Sequence, residues 1–259
     1  AAITNFEVGE LDKKRAAAIT QACDEIIAGK LHDQFIVDPI QGGAGTSLNM
    51  NANEVIANIA LLHMGHKPGE YEYCSPHDHV NRSQSTNDAY PTAIHMGLYA
   101  SHLALLPHLE ALIAEFRKRG DDFANIVKMG RTQLEDAVPM TLGQTFYGFA
   151  SILSDELLHL NEAAADFLTV NLGATAIGTG ICSEPGYAEK AVEALARITG
   201  WKVQLAKDWV GATSDTSCMV GYMSALKRVA VKMSKISNDL RLLASGPRCG
   251  LGEINLPAR

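Results

Sequence analysis

Three short polar runs interrupt a sequence that is otherwise patterned for helices, and they hold the residue types most suited to chemistry. The first is Gln41-Gly42-Gly43-Ala44-Gly45-Thr46-Ser47-Leu48-Asn49-Met50-Asn51. Its glycines allow close backbone approach to a ligand, and Thr46 and Ser47 stand where a helix should begin. Hydroxyls beside unpaired helix N–H groups favour an anion, although a plain glycine turn with an N-cap also accounts for this segment taken alone. The second run is Ser83-Gln84-Ser85-Thr86-Asn87-Asp88. Ser85 or Thr86 can cap the long helix that follows, but one cap is enough and the run offers several hydrogen-bonding side chains. The third, residues 130–144, carries Thr132 and Gln133, which alone read equally well as ordinary loop residues.

Other residues invite chemistry less strongly. His77-Asp78-His79 resembles a metal pair at first sight, but no third ligand is indicated by spacing, and a solvated loop after Pro76 is the better reading. His95 and His102 fall two turns apart on a helix and are expected at a surface or an interface. Trp201 and Trp209 are expected to be packing aromatics.

The elements that would position these runs are helices. Apolar residues recur at steps of three and four, alternation of period two is almost absent, and no sheet is expected. Residues 11–28 place Ile19, Cys23, Ile26 and Ile27 on one side, and a second helix should end near Gly65. Three long tracts follow, at about 88–118, 141–169 and 214–245. In the first, Leu103, Leu109, Ile113 and Phe116 are expected to be buried, and Pro107 should kink the helix or open a hydrogen-bond gap. Each tract would be roughly 40 Å long or more at 1.5 Å per residue. Such lengths suit helices that bundle with other subunits better than a small monomeric core.

Composition excludes several classes. The 259 residues are 47% apolar and 20% charged, ordinary for a globular chain. A net charge of −7 offers no cationic surface for nucleic acid. No apolar run approaches the ~20 residues of a membrane helix. The five cysteines are odd in number and scattered, without CxxC spacing, as expected of reduced thiols in the cytoplasm. The chain starts without Met and stops at Arg259, and both ends look cut.

Taken together and in order, QGGAGTSLNMNANE, HVNRSQSTNDAYPTA and GRTQLEDAVPMTLGQ resemble the characteristic segments of the aspartase/fumarase superfamily. NLGATAIGTG (171–180) and KISNDLRLLASGPRCGLGEINLPAR (235–259) extend the resemblance over essentially the whole chain. Ala44-Gly45-Thr46-Ser47, Ser85-Thr86-Asn87-Asp88, Gln133 and Ala212-Thr213-Ser214-Asp215 resemble the aspartase branch more than the fumarase branch. The resemblance implies an all-α fold, a long-helix bundle with a small N-terminal helical domain, truncated at both ends. It divides into residues 1–86 and 87–259. A homotetramer is implied, each site drawing one polar segment from each of three subunits. The implied ligand is a small dicarboxylate, with no cofactor, metal, nucleic acid or membrane partner.

The implied reaction is anti elimination of ammonia from L-aspartate to give fumarate through an enediolate. Thr46, Ser85 and Thr86 would bind the β-carboxylate, Asn87 and Gln133 would orient the ammonium, and Thr132 would hold the α-carboxylate, with Ser47 beside them. Superfamily members abstract the proton with a serine on a mobile Gly-Ser-Ser-x-Met-x-x-Lys-x-Asn loop. No such segment occurs in these 259 residues. It is expected beyond Arg259, so residues 1–259 alone should be inactive. A fumarate hydratase, and a non-catalytic scaffold derived from a lyase, are the competing readings.

Overall fold

The computed structural model of the chain describes residues 1–40 and 45–257; the first four residues of the glycine run, 41–44, lie outside them. Helices dominate: α1 (Ala2–Glu7), α2 (Lys13–Ile27), α3 (Thr46–His63), α4 (Thr86–Asp122), α5 (Leu142–Ala165), α6 (Tyr187–Thr199), α7 (Trp209–Ser214) and α8 (Ser217–Leu243). Backbone contacts divide the chain into two discontinuous units, Ala1–Leu98 with Phe167–Asp215, and Tyr99–Asp166 with Thr216–Arg259. This grouping differs from the consecutive split into 1–86 and 87–259, because α4 contributes to both units and the chain returns to the first after α5.

In the first unit α2 packs against α3. Asp12 caps α2 by accepting from the N–H groups of Lys14 and Arg15. Leu11, Ile19, Ala22, Val55, Ile59, Leu61, Cys74 and Val80 form the core between them. Cys23 and Ile26 pack on its margin, whereas Ile27 is 76% exposed. As the last residue of α2, Ile27 has turned past the apolar stripe. A second cluster joins Tyr187, Ala191 and Val192 of α6 to Val170, Leu172 and Val203. There β3 (Thr169–Val170) pairs in parallel with β4 (Gln204–Leu205).

In the second unit α5 opens with a reciprocal capping box: Thr141 Oγ1 accepts from Gln144 N at 3.2 Å, and Thr141 N donates to Gln144 Oε1 at 2.9 Å. Phe116, Phe123, Phe146 and Phe149 interlock with ring centroids 5.3–6.2 Å apart, within the range where tilted aromatic pairs attract. Leu109, Ile113 and Phe116 are buried as expected, but Leu103 is exposed. Further along α5, the fully buried Glu156 accepts from Arg228 Nη2 (2.9 Å) and from Lys232, both on α8.

Helix α4 runs through Pro107, whose missing N–H leaves the hydrogen-bond gap that the sequence allowed. Pro107 and Leu103 are both exposed, so the carbonyl that loses its partner can be hydrated. Several other sequence expectations are corrected. The tract expected from 214 is broken: Asp208 caps the short α7, Asp215 is extended, and α8 begins only at Ser217. A sheet is present. Strands β1 (Val127–Thr132) and β2 (Glu135–Thr141) form an antiparallel hairpin over the third polar run. Its sequence lacks the Asn-Gly signal of a tight hairpin and carries Pro139 in a strand, which hides it from pattern reading. Finally, His102 is buried rather than superficial: its Nδ1 lies 3.1 Å from the Tyr222 hydroxyl and its Nε2 3.2 Å from Asn161 Oδ1. His95 is half-buried, with Nδ1 3.2 Å from the Thr169 carbonyl.

Candidate functional site

The first and second polar runs meet within the first unit. Gly45 precedes α3 with φ +79°, a left-handed conformation that L side chains avoid, and its α-carbon faces the Tyr90 ring so closely that a Cβ would overlap it. This contact seats the start of α3 against the first turns of α4. Thr46 and Ser47 are the first two residues of α3 and are exposed. Neither hydroxyl caps the helix, since its N-cap is Gly45 and has no side chain to offer. Farther along α3, Asn49 and Asn53 both donate to Asn81 Oδ1 (3.3 and 2.9 Å), and Asn81 donates to the Gln84 carbonyl (3.3 Å). The middle of α3 thereby holds the segment that leads into Ser85.

Ser85 performs the capping that the sequence allowed. Its Oγ accepts from Asn87 N (3.2 Å), while its own N–H donates to Asp88 Oδ1 (2.9 Å). Accepting a hydrogen bond leaves the hydroxyl proton available to a ligand. Thr86 is the first residue of α4, half-buried. Both hydroxyls line a cleft of about 500 Å³ whose opposite lining includes Thr175, Ala176, Ile181 and Cys182. The cleft thus lies at the N-terminus of a 37-residue helix, where aligned peptide dipoles and unpaired N–H groups attract negative charge. Arg82 also lines it, but its guanidinium is ion-paired with Glu10. The anion-binding capacity here rests on hydroxyls and the helix end.

Asn87 is oriented by its surroundings. Its Nδ2 donates to the Ala176 carbonyl at 2.7 Å, which fixes the amide so that Oδ1 is the free acceptor. An acceptor is what an ammonium group needs. Sequence reasoning missed the two residues that hold this arrangement. Asn171 Nδ2 donates to the Asn87 carbonyl (3.1 Å) and to Thr213 Oγ1 (3.0 Å). Asp88, fully buried, accepts from Gly173 N (3.1 Å) and Thr175 N (2.8 Å) through Oδ2. The only local signal was an acidic side chain three residues after Ser85, a half-signature of a capping box.

The His77-Asp78-His79 stretch forms a single π turn, Pro76–Val80, capped by Ser75 Oγ, which accepts from His77 N (3.2 Å) and Asp78 N (3.1 Å). His79 Nδ1 accepts from Ser75 N at 2.7 Å, and burial with the nearby Arg15 charge holds its pKa below the usual histidine value. His77 and Asp78 line the cleft edge.

Thr132 and Gln133 belong to the second unit. Thr132 pairs with Glu135, leaving Gln133 and Leu134 as a two-residue turn with φ of +52° and +68°. Non-glycine residues in this region cost on the order of 1–3 kcal/mol each and recur at functional sites. Gly130 lets the strands approach, since a Cβ there would stand 2.8 Å from the Val138 carbonyl. Arg131 Nη2 donates to Glu253 Oε1 (2.5 Å) and Lys128 pairs with Glu253 Oε2 (2.8 Å), anchoring the first strand of the hairpin to the segment after α8. Burial pushes the Glu253 carboxyl up, but hydrogen bonds from Arg131 and Lys128 outweigh it and hold the group below the usual carboxylate range.

Comparison with known proteins bears on what this arrangement is for. The chain is 58% identical over 260 residues to an aspartate ammonia-lyase of Pseudomonas canavaninivorans, covering 100% of this chain and 55% of that protein. It is 54% identical over 258 residues to the aspartate ammonia-lyase of Escherichia coli K12, covering 99% and 54%. Among solved structures, fumarate lyase:delta crystallin from Brucella melitensis, bound to cobalt, superposes with a TM-score of 0.98 at 52% identity, over 99% of this chain and 56% of that one. A class II fumarase from Schistosoma mansoni gives 0.90 at 31% identity, over 96% and 55%. The chain therefore spans about half the length of the curated relatives it matches. The family model described as "Lyase" matches residues 1–259, every residue of the sequence. With hydroxyls and an oriented amide gathered at the start of a long helix, and this match from end to end, the chain belongs to the lyase family, within the aspartase/fumarase superfamily.

Proposed function

We propose that the protein containing this chain eliminates ammonia from L-aspartate to give fumarate. The observation that carries the reading is the cleft at the start of α4, lined by Ser85 and Thr86, with the next residue, Asn87, held by the Ala176 carbonyl so that Oδ1 is left as an acceptor. Taking a proton from Cβ converts a carboxylate into a dianionic enediolate. Catalysis requires donors whose hydrogen bonds strengthen as that charge accumulates. Ser85 and Thr86, with Thr46 and Ser47 at the start of α3, fill that role at the β-carboxylate. Asn87 and Gln133 hold the ammonium anti to the departing proton, and Thr132 holds the α-carboxylate. The serine base of the superfamily has no counterpart in residues 1–259 and must be supplied from outside them.

The active form is a homotetramer in the cytoplasm. Support for assembly comes from α8, which exposes Val220 (64%), Met223 (62%) and Val231 (60%) along its length. A fully buried Val or Met side chain contributes about 1.5–3 kcal/mol, so covering this face would stabilise an oligomer substantially. No helix among the described residues is long and apolar enough to cross a membrane. The odd number and scattered spacing of the five cysteines suit reduced thiols.

The test is to incubate the full-length enzyme separately with L-aspartate and L-malate and follow fumarate absorbance. Turnover of aspartate with ammonia release is expected. Turnover of malate alone would make it a hydratase, and inactivity with both would leave a scaffold. Residues 1–259 expressed alone should be inactive with either.

A further inference from the structure

Asp88 is completely buried, and among the described residues no cation pairs with it. A helix cap needs only one carboxylate oxygen, and Oδ1 fulfils that need with Ser85 N. The second oxygen collects the N–H groups of Gly173 and Thr175, 85 and 87 residues away. The receiving loop adopts a shape that turns these two N–H groups toward Asp88. Gly173 has φ +96°, and a Cβ there would stand 2.5 Å from the Ala188 side chain; Thr175, which is not glycine, also has positive φ, +60°. Two further bonds cross between the same segments, from Asn87 Nδ2 to the Ala176 carbonyl and from Asn171 Nδ2 to the Asn87 carbonyl. The start of α4 and the 171–176 loop therefore brace each other, with Asp88 at the centre.

Burying a lone carboxylate is costly, and an apolar contact would join the segments more cheaply if stability were the only purpose. Burial pushes the Asp88 carboxyl above the usual carboxylate range, and hydrogen bonds from the backbone N–H groups of Ser85, Thr175 and Gly173 oppose that rise without cancelling it. What the brace controls is the placement of the Ser85 and Thr86 hydroxyls, which line the cleft, and of the Asn87 amide that follows them in the chain. We propose that Asp88 is a positioning residue for the elimination, acting through the 171–176 loop to hold Asn87 and its neighbouring hydroxyls in the geometry the transition state requires. This rests on the lyase reading above.

The test compares the full-length enzyme with Asp88→Asn, Asn87→Ala, the double variant and Asn171→Ala. The amide of Asp88→Asn turns an acceptor into a donor facing backbone N–H groups, which loosens the brace. A displacement of about 1 Å at reacting groups can cost on the order of 100-fold, so kcat with L-aspartate should fall about 10- to 100-fold. The double variant should be no slower than the slower single variant, because Asp88 acts through Asn87 and its neighbours. Hydrogen exchange at Ser85, Gly173 and Thr175 should accelerate together. Wild-type kinetics in Asp88→Asn, or losses that multiply in the double variant, would overturn the proposal. Should Asp88→Asn fail to fold, Asn171→Ala decides: a kcat loss of several-fold with an unchanged melting temperature supports the brace, and unaltered kinetics refute it. An unmodified enzyme inert with both aspartate and malate overturns the lyase reading, and the positioning role with it.

Discussion

Glu156 offers the sharpest test of the energetics of the second unit. It is fully buried on α5, and its Oε1 receives both Arg228 and Lys232 of α8, while Oε2 has no hydrogen-bond partner among the described residues. Burial raises the carboxyl pKa, but the hydrogen bonds and charges of Lys232 and then Arg228 outweigh that effect and leave it lowered. Removing one member of a buried ion pair typically costs about 3–5 kcal/mol. The two cations here are 51% and 30% exposed and can turn to water, so a cost at or below the bottom of that range is appropriate, about 2–3 kcal/mol for Glu156→Gln. Glutamine keeps one acceptor for a cation but puts an NH₂ group, with no acceptor, where Oε2 was. Glu156→Met loses the same two ion pairs but leaves no buried amide without a partner, so it should cost no more than Glu156→Gln. In urea, with a slope of about 2 kcal/mol per molar, Glu156→Gln should lower the midpoint by about 1–1.5 M. Because the folded pKa is depressed, the stabilisation is fully present above the unfolded value of 4.5 and is lost as pH falls through the folded pKa. The gap between wild type and Glu156→Gln should therefore be constant from pH 6 to 8 and close below about pH 4.5. A gap that widens in acid, or an unchanged urea midpoint in both variants, would refute the ion-pair account.

Three other outcomes are expected. Thr86→Val, nearly isosteric, should leave the full-length protein as stable as wild type while lowering kcat by about 100- to 1,000-fold, the usual loss for one donor to a developing oxyanion; an unchanged kcat removes Thr86 from the site. Leu134→Gly relieves a left-handed residue that is 74% exposed at the hairpin tip, and a net gain of about 0.5–1 kcal/mol should follow after glycine's entropic cost; a lower urea midpoint would contradict the strain. Cys74 is fully buried with its thiol pushed up by burial to about 11, so iodoacetamide at pH 8 should spare it while alkylating the exposed Cys182 and Cys249. Peptide mass spectrometry reads that outcome, and early labelling of Cys74 would show that the α2–α3 core opens.

Much of this protein is legible along the chain. Helical period, caps and breakers record how a residue meets its own element, so α3 starting at Thr46 and the burial of Leu109, Ile113 and Phe116 follow from local pattern. Side chains at the edge of a stripe depend on what covers them, and there Ile27 and Leu103 departed from expectation. The linked polar runs named the family, since their order and spacing are far more specific than any one of them.

Tertiary structure alone decided the rest. Period and propensity carry no record of a partner 85 residues away, so nothing local shows Asp88 reaching Gly173 and Thr175, or Asn87 reaching Ala176. The hairpin that carries Thr132 and Gln133 was equally hidden. Its turn places Gln133 and Leu134 at positive φ, where local preference calls for glycine or asparagine, and only pairing of the flanking strands holds them there. Local preferences determined which helices form; the contacts between distant segments determined which way the polar side chains point.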